Sequence, residues 1–515
     1  MRALLVPSRP RRTCGSAGLV LLIAWLLPLL PLGVAARSAR AEDGITASSD
    51  SEEEEEEEEE NDLRQRLTER EDQRRHAKPF HVDIGGRPLT ISGEYEIGFE
   101  YLRGRLEEDD EDEDQLLLGQ QLEVEAFYSF GEILSVFAQV RGEMAEDLLP
   151  NRFDEVSEAF IERGEMWLYS EDIAGSGVSV DVGRLDFEDD RRWWWDDELD
   201  AVRAEYEGDA VDVALALAQE IGPTRTDRSF VEAEREGVFR VLGEGSWEWR
   251  PNHAFELFLV YQDDHSPRER PDEAVRLEEE DESDARLTWL GARLLGVHPL
   301  EGGGILGYWL DTGFVWGEER FAEIEELSRH RGVVEEVLER DVFGWAVDLG
   351  ASWILPAPFE PRLFAGYAVG SGDSTPEEGS HRSFRQTGLE ENEAGFGGVE
   401  RFASYGVLLD PELSNLQVLT VGAGLSLLRS SSLDLVYHYY RQVEPAPFLR
   451  DAGIDLPLTG RHRDLGHELD LVLALEEWER LELELVGSVF RAGRAFGDER
   501  GKWSSGAAFV LRVAF

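Results

Sequence analysis

GRLDFEDDRRWWWDDELDAVRAEY, Gly183 to Tyr206, decides how the rest of the chain is read. Three tryptophans, Trp193, Trp194 and Trp195, stand between flanks rich in arginine and aspartate. Before them, Val178, Val180 and Val182 alternate with Ser179, Asp181 and Gly183; after them, Val202, Ala204 and Tyr206 alternate with Arg203, Glu205 and Glu207. A period of two is a strand with apolar and charged side chains on opposite faces. In a soluble sandwich the apolar face is core. In a transmembrane barrel it meets lipid, and the charged face lines water.

The same alternation recurs from Leu89 onward. Val136, Ala138 and Val140 interleave with Gln139, Arg141 and Glu143, and Leu481, Leu483 and Leu485 with Glu482 and Glu484. About eighteen such segments of roughly 9–13 residues fit, the length a tilted strand needs to cross a bilayer. Tight connections (Glu207-Gly208-Asp209, Arg250-Pro251-Asn252, Arg429 to Ser432) alternate with long ones at 264–284, 318–340, 370–403 and 442–465. Short turns on one side and long loops on the other are a barrel's pattern. The long stretches 264–284, 318–340 and 370–403 are therefore expected together, opposite the turns at Gly208 and Pro251. Tyr308, Trp309, Trp316, Trp345, Trp353, Tyr437, Tyr439 and Tyr440 lie near segment ends, as interfacial girdles would. The last segment alternates Phe509, Leu511, Val513 and Phe515 with polar or small residues, and a terminal aromatic of this kind resembles the signal read by outer-membrane assembly machinery. The sequence thus predicts an all-β chain whose residues 86–515 form a transmembrane antiparallel β-barrel of about 18 strands.

The start of the chain reads as a targeting segment. Arg2, Arg9, Arg11 and Arg12 precede an apolar run from Leu19 to Leu32, and Ala39-Arg40-Ala41 has the spacing of a cleavage site, with an alternative after Ala36. Residues 1–41 are expected to be a signal peptide and 42–85 an acidic, mostly disordered segment with a short polar helix from Asn61 to Arg75. Such a leader with a barrel places the protein in the outer membrane of a Gram-negative cell. The single cysteine, Cys14, lies in the leader, which leaves the remainder without thiol or disulfide chemistry. A net charge of −58 speaks against nucleic acid. Acidic blocks at Glu52 to Glu60, Glu107 to Asp114 and Glu278 to Glu282 read as solvated surface. No cofactor is expected. The ten histidines are scattered, no spacing fits a metal, and no serine, histidine and acid cluster as a hydrolase would need.

Two stretches go beyond architecture. One is the opening motif. The other runs from Gly366 to Gln442 through GYAVGSGD, FRQTGLEENEAGFGGVERF, YGVLLDPELSNLQVLTVGAGL and SSLDLVYHYYRQ. Both resemble the alginate export family of outer-membrane porins, and the similarity extends from about residue 89 to Phe515. The resemblance implies a monomeric barrel that passes an anionic polyuronate through an arginine-lined constriction, in contact with outer-membrane lipid and periplasmic secretion partners. Carried over, the arginines are Arg184, Arg191 and Arg203 in the first motif and Arg382, Arg385 and Arg401 in the second. Arg461 and Arg463 follow in the loop before the strand from Leu465, and strand parity adds Arg141. A guanidinium stays charged and pairs with a planar carboxylate in fork geometry. Asp186, Asp196, Asp200 and Glu205 are expected to hold these arginines and keep a polyanion from binding too tightly.

Some features pull against this. Arg184 shares its parity with Val178, Val180 and Val182, so a bulge or loop must re-aim it toward the lumen. The tryptophans read either as a sugar-stacking platform or, preferably, as an anchor that packs a loop. Glu123, Glu125, Glu248, Glu482 and Glu484 fall at lumen parity, where an acidic wall would repel a polyanion. Either a basic ring dominates locally, or the acids pair with arginines, or the solute differs. The alternative function is a general or anion-selective porin for small solutes.

Overall fold

The structure is a computed structural model that describes residues 79–515, apart from the short stretches 105–113, 132, 150–156, 209, 267–269, 278–280, 282, 329–330, 374–379, 400 and 455–457. The expected signal peptide, the helix at 61–75 and nearly all of the acidic segment lie outside the described residues, as does most of the second and third acidic blocks.

Eighteen strands close into one antiparallel barrel. In order they are β1 (Arg87–Arg103), β2 (Gln115–Ser129), β3 (Leu134–Asp147), β4 (Ser157–Ser170), β5 (Val178–Glu188) and β6 (Asp196–Glu207). There follow β7 (Val211–Ala218), β8 (Val238–Arg250), β9 (His253–Asp264), β10 (Ser283–Pro299), β11 (Ile305–Ser328) and β12 (Arg331–Ile354). The last are β13 (Arg362–Gly370), β14 (Leu416–Ser426), β15 (Ser431–Gln442), β16 (Asp464–Trp478), β17 (Leu481–Ala492) and β18 (Trp503–Ala514). Each pairs with its sequence neighbours, and β18 closes the ring on β1 through Glu94↔Ala514 to Arg103↔Ser505. Closure on β18 removes the free edge that β1 would otherwise present along this paired stretch. Phe515 completes the seam by exchanging backbone hydrogen bonds with Gly93 at 2.9 and 3.2 Å.

The period-2 pattern has become two surfaces. On β9, Phe258 is buried between exposed Leu257 and Leu259; on β10, Trp289 is buried beside exposed Leu290. The exposed apolar row faces lipid and the buried row faces the lumen. Trp316, Trp345 and Trp353 point outward as girdle residues would, but Trp309 and Tyr440 do not. They fall on the inward parity, Trp309 against Asp348 and Tyr440 against Glu468.

Eight short connections, including 208–210 and 251–252, lie at one end, and 265–282 and 371–415 lie at the other, as expected. In outer-membrane barrels the short turns are periplasmic and the long loops extracellular. The stretch 318–340 is on the expected side but is not a loop. β11 and β12 continue through it as a hairpin, each strand 24 residues long. A further strand, Phe80–Ile84, pairs with β1 from Phe80↔Ile91 to Ile84↔Arg87, so ordered structure begins inside the stretch assigned to the acidic segment.

Candidate functional site

The β5–β6 hairpin carries the tryptophan motif, and it leaves the wall. β4 pairs with β5 only as far as Met166↔Arg184, and β6 pairs with β7 only as far as Ala201↔Ala218. Beyond those points the hairpin has no ladder partner on either side. Gly183 sits at the departure with φ 145°, and a Cβ there would lie 2.0 Å from the Met166 carbonyl oxygen. Only glycine permits that approach. The hairpin tip then meets side chains on the inward faces of β9 to β12. Trp194 stacks on Phe258 with centroids 5.1 Å apart, and Arg293 reaches Asp189 at 2.5 Å. Asp189 also accepts the backbone N–H groups of Arg191, Trp194 and Trp195 at 3.0, 2.7 and 3.1 Å, which fixes the turn. The tryptophans are an anchor: all three are buried, and none presents a free face to the lumen.

Segment 371–415 fills the space beside the hairpin. Phe384 stacks on Trp193, and the Trp193 indole N–H donates to the Tyr405 hydroxyl at 2.8 Å. The Thr387 hydroxyl donates to the Trp194 carbonyl at 2.5 Å. Further along, the Val399 N–H donates to Ser432 Oγ at the short-turn end, at 3.0 Å. The segment then returns to the wall, where the Glu468 carboxylate accepts the N–H groups of Leu408 and Leu409 at 2.6 and 3.1 Å. Hairpin and segment together cross the barrel. At their junction with the wall lies a small cleft lined by Arg191, Trp309, Asp348, Tyr367, Phe396 and Tyr405.

The named arginines fall into three groups. Arg141, Arg184, Arg191, Arg385 and Arg401 are stapled to acids at or around this crossing. Arg141 pairs with Glu198 at 2.5 Å; Arg184 pairs with Glu198 at 3.3 Å and Glu220 at 2.8 Å. Arg191 bridges Asp311 at 3.0 Å and Asp348 at 2.9 Å while its guanidinium lies 4.6 Å from the centre of the Trp309 ring. Arg401 joins the segment to the hairpin through Glu188, and Arg385 pairs with Glu319 on β11. Arg203 and Arg382 keep access to solvent. Arg203 projects inward from β6, pairs with Asp181 at 3.1 Å and Glu205 at 2.8 Å, and is a quarter exposed. Arg382 is exposed and donates its backbone N–H to Asp373 at 2.9 Å. Arg461 and Arg463 stay in loop 443–463, where Arg463 pairs with Glu444 at 2.7 Å, and neither joins the crossing.

Arg184 needs no bulge to become enclosed. It keeps the outward parity of Val182, but the inward lean of the hairpin turns that face toward Arg141 on the β3 wall. The supporting acids are partly reassigned. Glu205 pairs with Arg203 at 2.8 Å, and the Asp186 carbonyl accepts from Arg203 at 3.0 Å. Asp196 instead pairs with Arg192 at 3.2 Å, and Asp200 takes the Arg163 fork at 2.5 and 2.9 Å. Four more arginines, Arg163, Arg192, Arg293 and Arg362, lie outside the set expected from the sequence; Arg362, on β13, pairs with Asp434 on β15 at 2.9 Å. Arg192 sits beside Arg191 in the motif itself, and Arg293 lies on the buried parity of β10, so both had a signal. Arginines answer some of the lumenal acids: Arg512 takes Glu96 at 2.8 Å and Glu484 at 3.5 Å, and Glu123 stands opposite Arg141, whereas Glu125 accepts from Ser92 at 2.9 Å and Gln139 at 3.3 Å, and Glu248 from the Asn252 N–H at 3.2 Å.

A closed, even-stranded barrel with an apolar outer surface, polar lumen and inward-folded segments is an outer-membrane channel of the porin class. Residues 87–509 match the family model described as alginate export, and the chain belongs to that family. The match and the barrel place it in the outer membrane. The chain is 28% identical over 322 residues to the alginate production protein AlgE of Pseudomonas aeruginosa, covering 62% of this chain and 64% of that one. It is 25% identical over 336 residues to the AlgE of Pseudomonas syringae pv. tomato, covering 62% and 65%. The chain therefore spans somewhat under two thirds of the length of these relatives. The crystal structure of OccAB1 from Acinetobacter baumannii superposes with a TM-score of 0.52 at 10% identity, over 86% of this chain and 99% of that one.

Proposed function

We propose that this barrel exports an anionic polyuronate of the alginate kind, and that the polymer threads the seam between the β5–β6 hairpin and segment 371–415. The observation that carries this reading is the chemistry of the seam. Its staples are guanidinium–carboxylate pairs, Arg401 with Glu188 and Arg192 with Glu393 at 2.6 Å, and beside it Arg191 ties the hairpin to Asp311 and Asp348 on the wall. A uronate carboxylate replaces a protein carboxylate on such a guanidinium like for like, so attraction is kept without a deep trap. The acids at lumen parity then act as exchangeable partners for the arginines rather than as a repelling wall. A net charge of −58 does not oppose this. Loop carboxylates are screened beyond about 8–10 Å at physiological salt, whereas a guanidinium in a narrow neck acts at contact distance.

Arg203 is the test position, because it is inward, partly solvated and already flanked by Asp181 and Glu205. Arg203→Glu puts three carboxylates together there. In planar bilayers this variant is expected to shift ion selectivity toward cations and weaken blockade by oligomannuronate, with assembly checked by heat-modifiable gel mobility. Unchanged selectivity and blockade in an assembled variant would remove Arg203 from the path and favour a general porin.

A further inference from the structure

The lipid-facing wall carries arginines that answer no acid. Arg441 on β15 and Arg491 on β17 are exposed, and neither has an acidic partner among the described residues. In a chain of net charge −58, cations left unpaired beside lipid need a reason. Asp464 stands opposite Arg441 in register, but its carboxylate accepts the Arg494 backbone N–H, at 3.3 Å.

Their level on the wall is set by register. Tyr439↔His467, His467↔Arg491 and Arg491↔Trp503 form one row across β15 to β18, and Arg441 follows Tyr439 by two residues on the same face. Below the row the same outward faces carry exposed Leu435, Leu469, Leu471 and Val489. Leu481, where β17 begins, lies ten residues before Arg491. Ten residues of a strand tilted about 40° rise about 25 Å, the height of an outer-membrane barrel's apolar band. Arg491 therefore stands at the upper rim of that band, at the long-loop, extracellular end. Its guanidinium lies 5.5 Å from the Trp503 ring centre, and the His467 ring stacks on Tyr439 with centroids 4.9 Å apart. Aromatic rings at headgroup level are interfacial anchors. Two unpaired guanidiniums among them face whatever charge the headgroups carry.

We propose that this face, Arg441 and Arg491 flanked by His467 and Trp503, binds a phosphate of an outer-leaflet glycolipid whose acyl chains lie along Leu435, Leu469 and Leu471. Charge complementarity selects the phosphate, since arginine forks match its oxygens. The position at the extracellular rim selects a lipid of the outer leaflet. The site lies on the outside of the barrel and is independent of the pore.

The test is native mass spectrometry of the detergent-purified full-length barrel with two probes, bisphosphorylated lipid A and the same lipid after phosphatase treatment. The wild type is expected to retain the bisphosphorylated lipid at least about tenfold better, two headgroup-level cations being enough for that preference. The double variant Arg441→Gln/Arg491→Gln is expected to lose the preference while single-channel conductance stays unchanged; the lysine double variant should keep part of it. Equal retention of the two lipids by the wild type, or an undiminished preference in the assembled glutamine variant, overturns the proposal. Should the double variant fail to assemble, each single glutamine variant is expected to lose part of the preference, and full retention in both is contradictory.

Discussion

Replacing Trp194 with alanine is expected to undock the tryptophan hairpin without dismantling the barrel. Trp194 is 1% exposed and stacks on Phe258. It also packs so closely on Gly291 that a Cβ there would lie 2.1 Å from its ring. A buried tryptophan hides about 150–250 Å², which at about 25 cal/mol/Å² gives an upper bound of about 4–6 kcal/mol. Large-to-small substitutions of this type cost about 3–5 kcal/mol. The lost contacts are between the hairpin tip and the wall, and no strand ladder passes through them. The cost therefore falls on the docked state of the hairpin. About 3 kcal/mol shifts that equilibrium by roughly a hundredfold or more. Single-channel recording should show higher conductance or new long-lived open events, with heat-modifiable mobility retained. An assembled Trp194→Ala barrel with wild-type conductance and noise would show that the hairpin does not limit the pore.

Two other outcomes follow from single sites. Gly183→Ala forces a Cβ into the Met166 carbonyl at a φ of 145°, so the hairpin cannot leave the wall as it does, and limited proteolysis should detect exposure of the Arg191–Arg192 bonds that are buried in the wild type. Asp281, in the loop between β9 and β10, is pushed up to about 8 by burial first, with Asp264, Glu234 and Asp284 adding repulsion. Its folded value lies above its unfolded one, so the native loop binds the extra proton and loses stability as pH rises from about 4 through about 8. Asp281→Asn should therefore raise the thermal midpoint of the loop's protease resistance at pH 9 and change it little at pH 4. Equal effects at both pH values would contradict that assignment.

The barrel was legible because alternation survives wherever one face meets lipid. Val202, Ala204 and Tyr206 against Arg203 and Glu205 could be read correctly with no partner in view. Where the strands rise beyond the bilayer that contrast fades: in β11 and β12 the stretch 318–340 carries glutamates on both faces, and it reads as a loop although it is ladder. The site was less legible. Parity alone places Arg203 inward, but Arg184 keeps its outward parity and is enclosed only because Gly183 lets the hairpin lean in. The partners were out of reach altogether. Asp348 is 157 residues from Arg191, and Glu393 is 201 from Arg192. Such pairs are set by which strands the hairpin reaches across the lumen, and local periodicity carries no information about that. The acidic lumen looked like an objection for the same reason: Glu484 and Arg512 lie on adjacent strands, and only the register of β17 against β18 brings them together.

Exchange of the arginine–carboxylate pairs at the seam with a passing polyuronate underlies the proposed export. It is tested most directly by the current through a single wild-type channel with oligomannuronate on the periplasmic side and a neutral oligosaccharide of equal length as control. Transient, voltage-dependent blockade by the uronate that shortens as salt is raised, and none by the neutral sugar, is expected. Indifference to both, or equal blockade by both, would contradict it.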